Sequence, residues 1–132
     1  MQPLPAAAER RAAGAFLTRK LGLAVGWLMV AAIVWLSLTP SPPKLDVTLG
    51  DKLGHFGAYG ALMFWFCQLY TRRATLIAHA MAFVAMGIAL EFLQDASGFR
   101  SFELLDMGAN TLGVLLGWGA ALILPRVLPA RE

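Results

Sequence analysis

Polar side chains recur at helical spacing along a chain that is otherwise strongly apolar. Three groups stand out: Asp51, His55 and Tyr59; Glu91 and Gln94; and Asp106 and Asn110. Residues three or four positions apart lie on the same face of a helix, so each group would present its side chains together. Ionisable groups at membrane depth are costly and usually mark a functional site. We therefore expect the three groups to form one site.

Carboxylates and an imidazole in one place are possible ligands for a metal ion. Hard divalent cations prefer oxygen ligands, and imidazole suits zinc or manganese. The candidate ligands are Asp51, His55, Glu91 and Asp106. However, Lys52 and Arg100 would oppose a nearby cation, and no HExxH-type motif is present. We predict no cofactor and keep a divalent metal as a lesser alternative.

The same residues could recognise a polar head group. Lys52 and Arg100 could hold a phosphate, and the planar guanidinium would bind it through two parallel hydrogen bonds. The carboxylates with Tyr59, Gln94 and Asn110 could bind hydroxyls and amides of a sugar or peptide. The leading prediction is therefore a site for a membrane lipid or a lipid-linked envelope precursor.

Two alternatives stay open. His55 beside Asp51 could act as a general base, with Glu91 as a third catalytic candidate and Arg100 stabilising an oxyanion. This would make the chain an intramembrane hydrolase or transferase of lipid-linked substrates that uses His55, Glu91 and Asp106. Alternatively, the charges could pair with each other and only hold helix ends together, as in a structural accessory protein.

Composition indicates which elements must position these residues. Hydrophobic residues make up 58% of the 132 positions and charged residues only 14%, which is typical of a membrane protein. Apolar runs over 21–38, 56–70, 76–93 and 107–124 have about the length that spans a bilayer. The basic residues flank these runs without interleaved aromatics, which argues against nucleic-acid binding. We predict an all-α bundle of four transmembrane helices.

The distribution of basic residues predicts how the bundle is oriented. Eight of them fall on one side of the predicted spans: Arg10, Arg11, Arg19, Lys20, Arg72, Arg73, Arg126 and Arg131. The other side has Lys44, Lys52 and Arg100, in a proline-rich loop over 37–54 and a connection over 94–105. The positive-inside rule then puts both termini in the cytoplasm and the polar residues on the outer face. The domains are a tail over 1–20, the membrane domain over 21–124 and a tail over 125–132.

Small residues predict where the helices approach each other. Ala109, Gly113, Gly117 and Ala121 recur every four residues in the last span, and Gly54, Gly57 and Gly60 form a second ridge. Close backbone contact drives helix association in lipid. Asn110 precedes Gly113 by three residues and should therefore point into the bundle. We expect an outward-facing polar pocket bounded by the second, third and fourth spans.

At these positions the chain resembles the VanZ-like membrane proteins. The matching residues run from Ser37-Leu-Thr-Pro40 through Asp51-Lys52-Leu-Gly-His55, Tyr59, Glu91-Phe-Leu-Gln94 and Arg100 to Asp106-Met-Gly-Ala-Asn110 and Gly113. The resemblance covers 21–124, and neither tail carries the pattern. It implies a multi-pass protein of the bacterial cytoplasmic membrane, in a family named after a teicoplanin resistance determinant. A link to glycopeptide resistance is therefore an expectation from the resemblance.

Overall fold

Four helices make up the chain over residues 5–42 and 50–131, which a computed structural model describes. The helices are α1 (Ala6–Leu38), α2 (Gly50–Leu69), α3 (Arg73–Ala96) and α4 (Leu104–Ile123). These ranges contain no strand, and their one β-type pairing is an isolated parallel bridge between Tyr70 and Arg131. The predicted all-α class is confirmed. Pro43, Lys44 and Asp46 of the predicted proline-rich loop lie outside the described residues.

Helix α1 is longer than the apolar run that predicted it. It begins at Ala6 and has 33 residues, so the segment over 6–20 continues the first helix. Alanine, the strongest helix former, is frequent there, which explains the extension. The helix ends before Thr39-Pro40, where Thr39 has an extended ψ of 133°, because a residue before proline avoids the helical conformation. At 1.5 Å per residue the helix is about 50 Å long and exceeds the roughly 30 Å of a bilayer core.

Two of the described helices, α1 and α3, are long and apolar enough to cross a membrane. Their most apolar windows are only 17% and 28% buried within the bundle, respectively, so most of these side chains face outward. Trp27 and Leu28 of α1 and Met81 of α3 are among the exposed apolar residues. An apolar helix of a soluble core would be mostly covered by protein. This exposure favours association with a membrane.

Helices α2 and α4 form the closest contact of the bundle. A Cβ atom placed on Gly117 would lie 2.2 Å from the carbonyl oxygen of Gly60, and one on Gly113 would lie 2.4 Å from that of Phe56. The two backbones therefore touch, as small residues permit in membrane bundles. The predicted helix contact is confirmed for Gly60, Gly113 and Gly117. Gly54 instead lines a cavity beside α1, and Gly57 borders the groove between α2 and α4 without a close approach, since a Cβ there would meet nothing within 4 Å.

Contacts between helix ends define two opposite ends of the bundle. We call the first the polar end: it contains the start of α2, the end of α3 and the start of α4. There Lys52 of α2 bonds to Glu103 and Asp106, and Glu91 of α3 accepts from the backbone N–H of Glu103. At the other end, which we call the basic end, the backbone N–H of Arg131 donates to the carbonyl of Leu69 at 2.9 Å. The basic end also carries Arg72, Arg73 and Arg126, whose positions in the chain flank the helices. Between the two ends lies a core built around Leu62, Met63 and Phe66.

Candidate functional site

A cavity of about 190 Å³ lies at the polar end. Its ionisable lining residues are Asp51, His55 and Arg100, and Tyr59 lies beside them. Its apolar wall includes Ile33 and Leu36 of α1 and Ala58 of α2. The cavity thus combines a charged side with a hydrophobic side, which is typical of a site for an amphipathic ligand.

The walls of the cavity differ from the prediction. We expected a pocket bounded by the second, third and fourth spans, whereas the cavity lies between α1 and α2 and is closed by Arg100 from the α3–α4 connection. The glycine contact between α2 and α4 explains the difference, because Gly60, Gly113 and Gly117 hold those two backbones together. The fourth helix instead supports the cavity from behind.

One face of α2 supplies three of the lining residues. Asp51, His55 and Tyr59 follow each other at intervals of four residues, and all three line the cavity. One helical turn separates each from the next, which places the three side chains in a row. The spacing in the sequence therefore predicted this face correctly.

Helix α4 fixes the orientation of the His55 ring. Its Nδ1 lies 3.0 Å from Oδ1 of Asn110, and its Nε2 lies 3.5 Å from Oδ2 of Asp106. Both ring nitrogens thus face oxygen atoms of α4. Asp106 and Asn110 are each 2% exposed, so the two partners are themselves held in the packed interior.

Three ion pairs join the start of α2 to the α3–α4 connection and α4. Lys52 Nζ donates to Asp106 at 2.8 Å and also to Glu103. These two hydrogen bonds, that to Asp106 first, raise the pKa of Lys52 above its ordinary value and keep the ammonium charged. Arg100 donates to Asp51 at 2.8 Å. Both carboxylates near His55 therefore already have a positive partner.

Glu91 and Gln94 are buried but do not line the cavity. The Glu91 carboxylate accepts a hydrogen bond from the backbone N–H of Glu103 at 2.7 Å, at the residue that immediately precedes α4. The Gln94 amide donates to the carbonyl oxygen of Ser37 at 2.8 Å, near the end of α1. These side chains connect α3 to the end of α1 and to the start of α4. Their role in the geometry is to position the elements that carry the site.

The predicted residues therefore separate into three groups. Asp51, His55, Tyr59 and Arg100 line the cavity. Lys52, Asp106 and Asn110 bond to each other or to the lining residues. Glu91 and Gln94 brace the helices.

Sequence reasoning missed Glu103 and the apolar wall of the cavity. Glu103 accepts from Lys52 and immediately precedes α4; its position three residues before Asp106 was the available signal. Ile33 and Leu36 form part of the wall, but in the sequence they look like any lipid-facing residues of an apolar span. No pattern distinguishes them.

Three residues could hold a metal ion. Asp51, His55 and Asp106 each offer a ligand atom, and these atoms lie within 4.8 Å of one another. These residues fit a divalent cation poorly, because both carboxylates already have a positively charged partner: Arg100 binds Asp51, and Lys52 binds Asp106. A divalent cation would have to displace both or bear their repulsion. Glu91, the fourth predicted ligand, is bonded to the start of α4.

A protein of the fission yeast Schizosaccharomyces pombe is similar to this chain. The two are 33% identical over 104 residues, which is 76% of this chain and 62% of the yeast protein, described as uncharacterized. The chain thus spans less than two thirds of the length of that relative. No family model matches the chain, and no solved structure matches it. Because the relative is eukaryotic, the bacterial location that the VanZ-like resemblance implies gains no support from it.

Proposed function

We propose that the chain is a VanZ-like integral membrane protein whose four helices all cross the bilayer. The outward-facing apolar side chains of α1 and α3 support this proposal. Glycines and site residues interrupt the apolar surfaces of α2 and α4, and several of them face protein, among them Gly60, Gly113 and Gly117. Their remaining surface includes exposed Leu112, Leu115 and Leu116, which suit lipid.

The orientation follows from the charges at the two ends. In the described residues, the basic end carries Arg72, Arg73, Arg126 and Arg131. The two bases near the cavity, Lys52 and Arg100, are instead bonded to carboxylates. The positive-inside rule then assigns the basic end and both termini to the cytoplasm. The cavity accordingly opens at the extracytoplasmic face.

At that face the cavity binds the polar head group of a membrane lipid, while the acyl chains stay in the bilayer. The observation that carries this proposal is the pairing of an apolar wall with Asp51, His55 and Arg100 in one cavity. Its volume of about 190 Å³ is below the 300–1,000 Å³ usual for sites that enclose a whole small molecule, so it suits a head group. A lipid-linked envelope precursor has the same chemistry.

A pair of glycine substitutions on α2 tests this proposal. Gly54 lines the cavity and Gly57 does not, yet a Cβ on either would meet nothing within 4 Å. We expect Gly54→Leu to fill the cavity and to weaken saturable phospholipid binding at least about tenfold, an order of magnitude that corresponds to one lost charged hydrogen bond. Gly57→Leu, which adds the same side chain one turn away, should bind like the wild type.

The measurement is native mass spectrometry of the purified full chain in detergent, titrated with phospholipids that share acyl chains and differ in head group. Helical circular dichroism before the titration checks that both variants fold. Absence of saturable binding to every phospholipid tested would refute the proposal. Equal binding by Gly54→Leu and Gly57→Leu would place the binding elsewhere.

A hydrolase or transferase of lipid-linked substrates is the second candidate. The observation that favours it is His55, which lies in the cavity between Asp106 and Asn110 and could exchange a proton with a bound substrate. Turnover of a lipid-linked substrate by the wild-type chain that disappears in His55→Ala and persists in Glu91→Gln would support an enzyme. Absence of turnover by the wild-type chain, or turnover unchanged in His55→Ala, would remove this candidate.

A further inference from the structure

We propose that the head group recognised by the cavity is zwitterionic and carries both a primary ammonium and a phosphate, as phosphatidylethanolamine does. This inference rests on the proposed head-group binding and adds the class of ligand. Its basis is the pair of opposite charges that face the cavity. Asp51 and Arg100 both line it and bind each other at 2.8 Å.

The lining offers one carboxylate and one guanidinium, so a ligand with only one charge would leave one of them without a partner. An anionic head group that took Arg100 would separate it from Asp51 and leave a carboxylate beside the anion. A zwitterion gives each side chain a new partner: its phosphate binds Arg100, and its ammonium binds Asp51. The internal ion pair is exchanged for two pairs with the ligand.

The exposure of the charged groups decides which pair can exchange. The Asp51 and Arg100 side chains are 41% and 19% exposed, and ion pairs near water are weak. The Asp106 partner of Lys52 is instead buried, and His55 is already held by Asn110 and Asp106. Asp51 and Arg100 are therefore the charged lining residues that can change partners at low cost.

Hydrogen-bond chemistry then ranks the head groups. A primary ammonium has three N–H donors for the Asp51 carboxylate, whereas a trimethylated ammonium has none and a glycerol head group has no positive charge. The guanidinium of Arg100 matches phosphate through two parallel hydrogen bonds. Ethanolamine lipids should therefore bind more tightly than choline or glycerol lipids.

The test compares phosphatidylethanolamine, phosphatidylcholine and phosphatidylglycerol with identical acyl chains, by native mass spectrometry of the full chain in detergent. We expect phosphatidylethanolamine to bind about tenfold more tightly than either of the others, as one charge-assisted hydrogen bond would give. Asp51→Asn should remove this preference, and Arg100→Gln should weaken binding of all three lipids. Arg72→Gln, which removes one exposed positive charge at the basic end, is the matched control and should bind like the wild type.

The outcomes separate this inference from the proposed function. The inferred preference for a zwitterionic head group would be overturned if phosphatidylglycerol bound as tightly as phosphatidylethanolamine. It would also be overturned if the preference for phosphatidylethanolamine persisted in Asp51→Asn. Either result would leave the proposed head-group binding in place. Saturable binding to none of the three lipids would overturn both. The comparison of lipids on the wild-type chain needs no variant, so a folding defect in Asp51→Asn cannot hide the answer.

Discussion

The substitution Gly113→Ala tests whether the α2–α4 contact sets the geometry of the site. A Cβ atom at this position would lie 2.4 Å from the Phe56 carbonyl oxygen, and real Cβ contacts essentially never fall below 3.0 Å. The obstacle is backbone, so the two helices must separate locally by at least about 0.6 Å. Phe56 adjoins His55, and Gly113 lies three residues after Asn110. Separation of the two helices at this point should therefore lengthen the hydrogen bond between His55 and Asn110.

The magnitude follows from the distances. The His55 Nδ1 to Asn110 Oδ1 distance is 3.0 Å, and an added separation of about 0.6 Å would carry it past the limit of a hydrogen bond. Overpacking a close contact costs about 1–3 kcal/mol, while alanine in place of glycine stabilises a helix by about 0.5–1 kcal/mol. We expect a net loss of about 1–2 kcal/mol in the free energy of unfolding.

Two readouts check this expectation in the purified chain in detergent. Thermal unfolding should show a lower melting temperature for Gly113→Ala than for Gly108→Ala, whose new Cβ meets nothing within 4 Å on the same helix. Nitrogen-15 NMR of the imidazoles is simple to assign because the chain has two histidines. The His55 resonances should move and those of His79 should not. Equal melting temperatures for the two variants, with an unchanged His55 spectrum, would show that the α2–α4 contact does not set the geometry of the site.

Three further predictions concern charges of the site. Hydrogen bonding raises the pKa of Lys52 above its ordinary value of 10.5. The contribution of Lys52 to stability is therefore complete below pH 10.5 and declines only as the pH rises beyond that value. Lys52→Met should accordingly lower the free energy of unfolding by about 1–3 kcal/mol, equally at about pH 6 and about pH 9. A loss confined to either pH would contradict this. Chelator treatment followed by zinc or manganese should leave the melting temperature unchanged, because Lys52 and Arg100 bind the candidate carboxylate ligands; a metal-dependent rise of several degrees would show a real metal site. Glu91→Ala should destabilise the start of α4 by about 1–3 kcal/mol. Glu91→Gln keeps an acceptor for the Glu103 N–H and should therefore retain most of the stability in chemical unfolding. Equal losses of stability in the two variants would show that the charge of Glu91, and not its hydrogen bond, matters.

Helical periodicity and composition were enough to predict the helices and one face of the site. Asp51, His55 and Tyr59 recur every four residues and do line one cavity. Asn110 was expected to point into the bundle, and it is buried. These predictions succeed because the period of a helix fixes which side chains share a face, whatever the helix packs against.

The partner of each face could not be predicted from the period. In the second glycine ridge, Gly60 makes the close approach to α4, whereas Gly54 and Gly57 have open Cβ positions. Likewise, nothing in the sequence distinguishes the α1 residues Ile33 and Leu36, which line the cavity, from lipid-facing neighbours. Rotation of one helix about its axis relative to the next depends on the packing of the whole bundle.

The partners of the charged residues depend on the course of the α3–α4 connection. Lys52 and Arg100 were both expected to face a ligand, yet Lys52 bonds to Glu103 and Asp106, and Arg100 to Asp51. Gly98 turns the connection with a φ of 75°, a conformation that glycine adopts without a steric penalty. The path after that turn brings Arg100 over α2, and no periodic pattern encodes it.

Photo-crosslinking with a phospholipid that carries a diazirine on its head group is the most direct test of the central claim. The wild-type chain would be labelled in a bilayer, digested and mapped by mass spectrometry. We expect labels concentrated on peptides that contain the Asp51–His55 turn and Arg100, with strong loss of label in Gly54→Leu but not in Gly57→Leu. Labels spread evenly along the outer faces of the helices, or concentrated at the basic end, would contradict it.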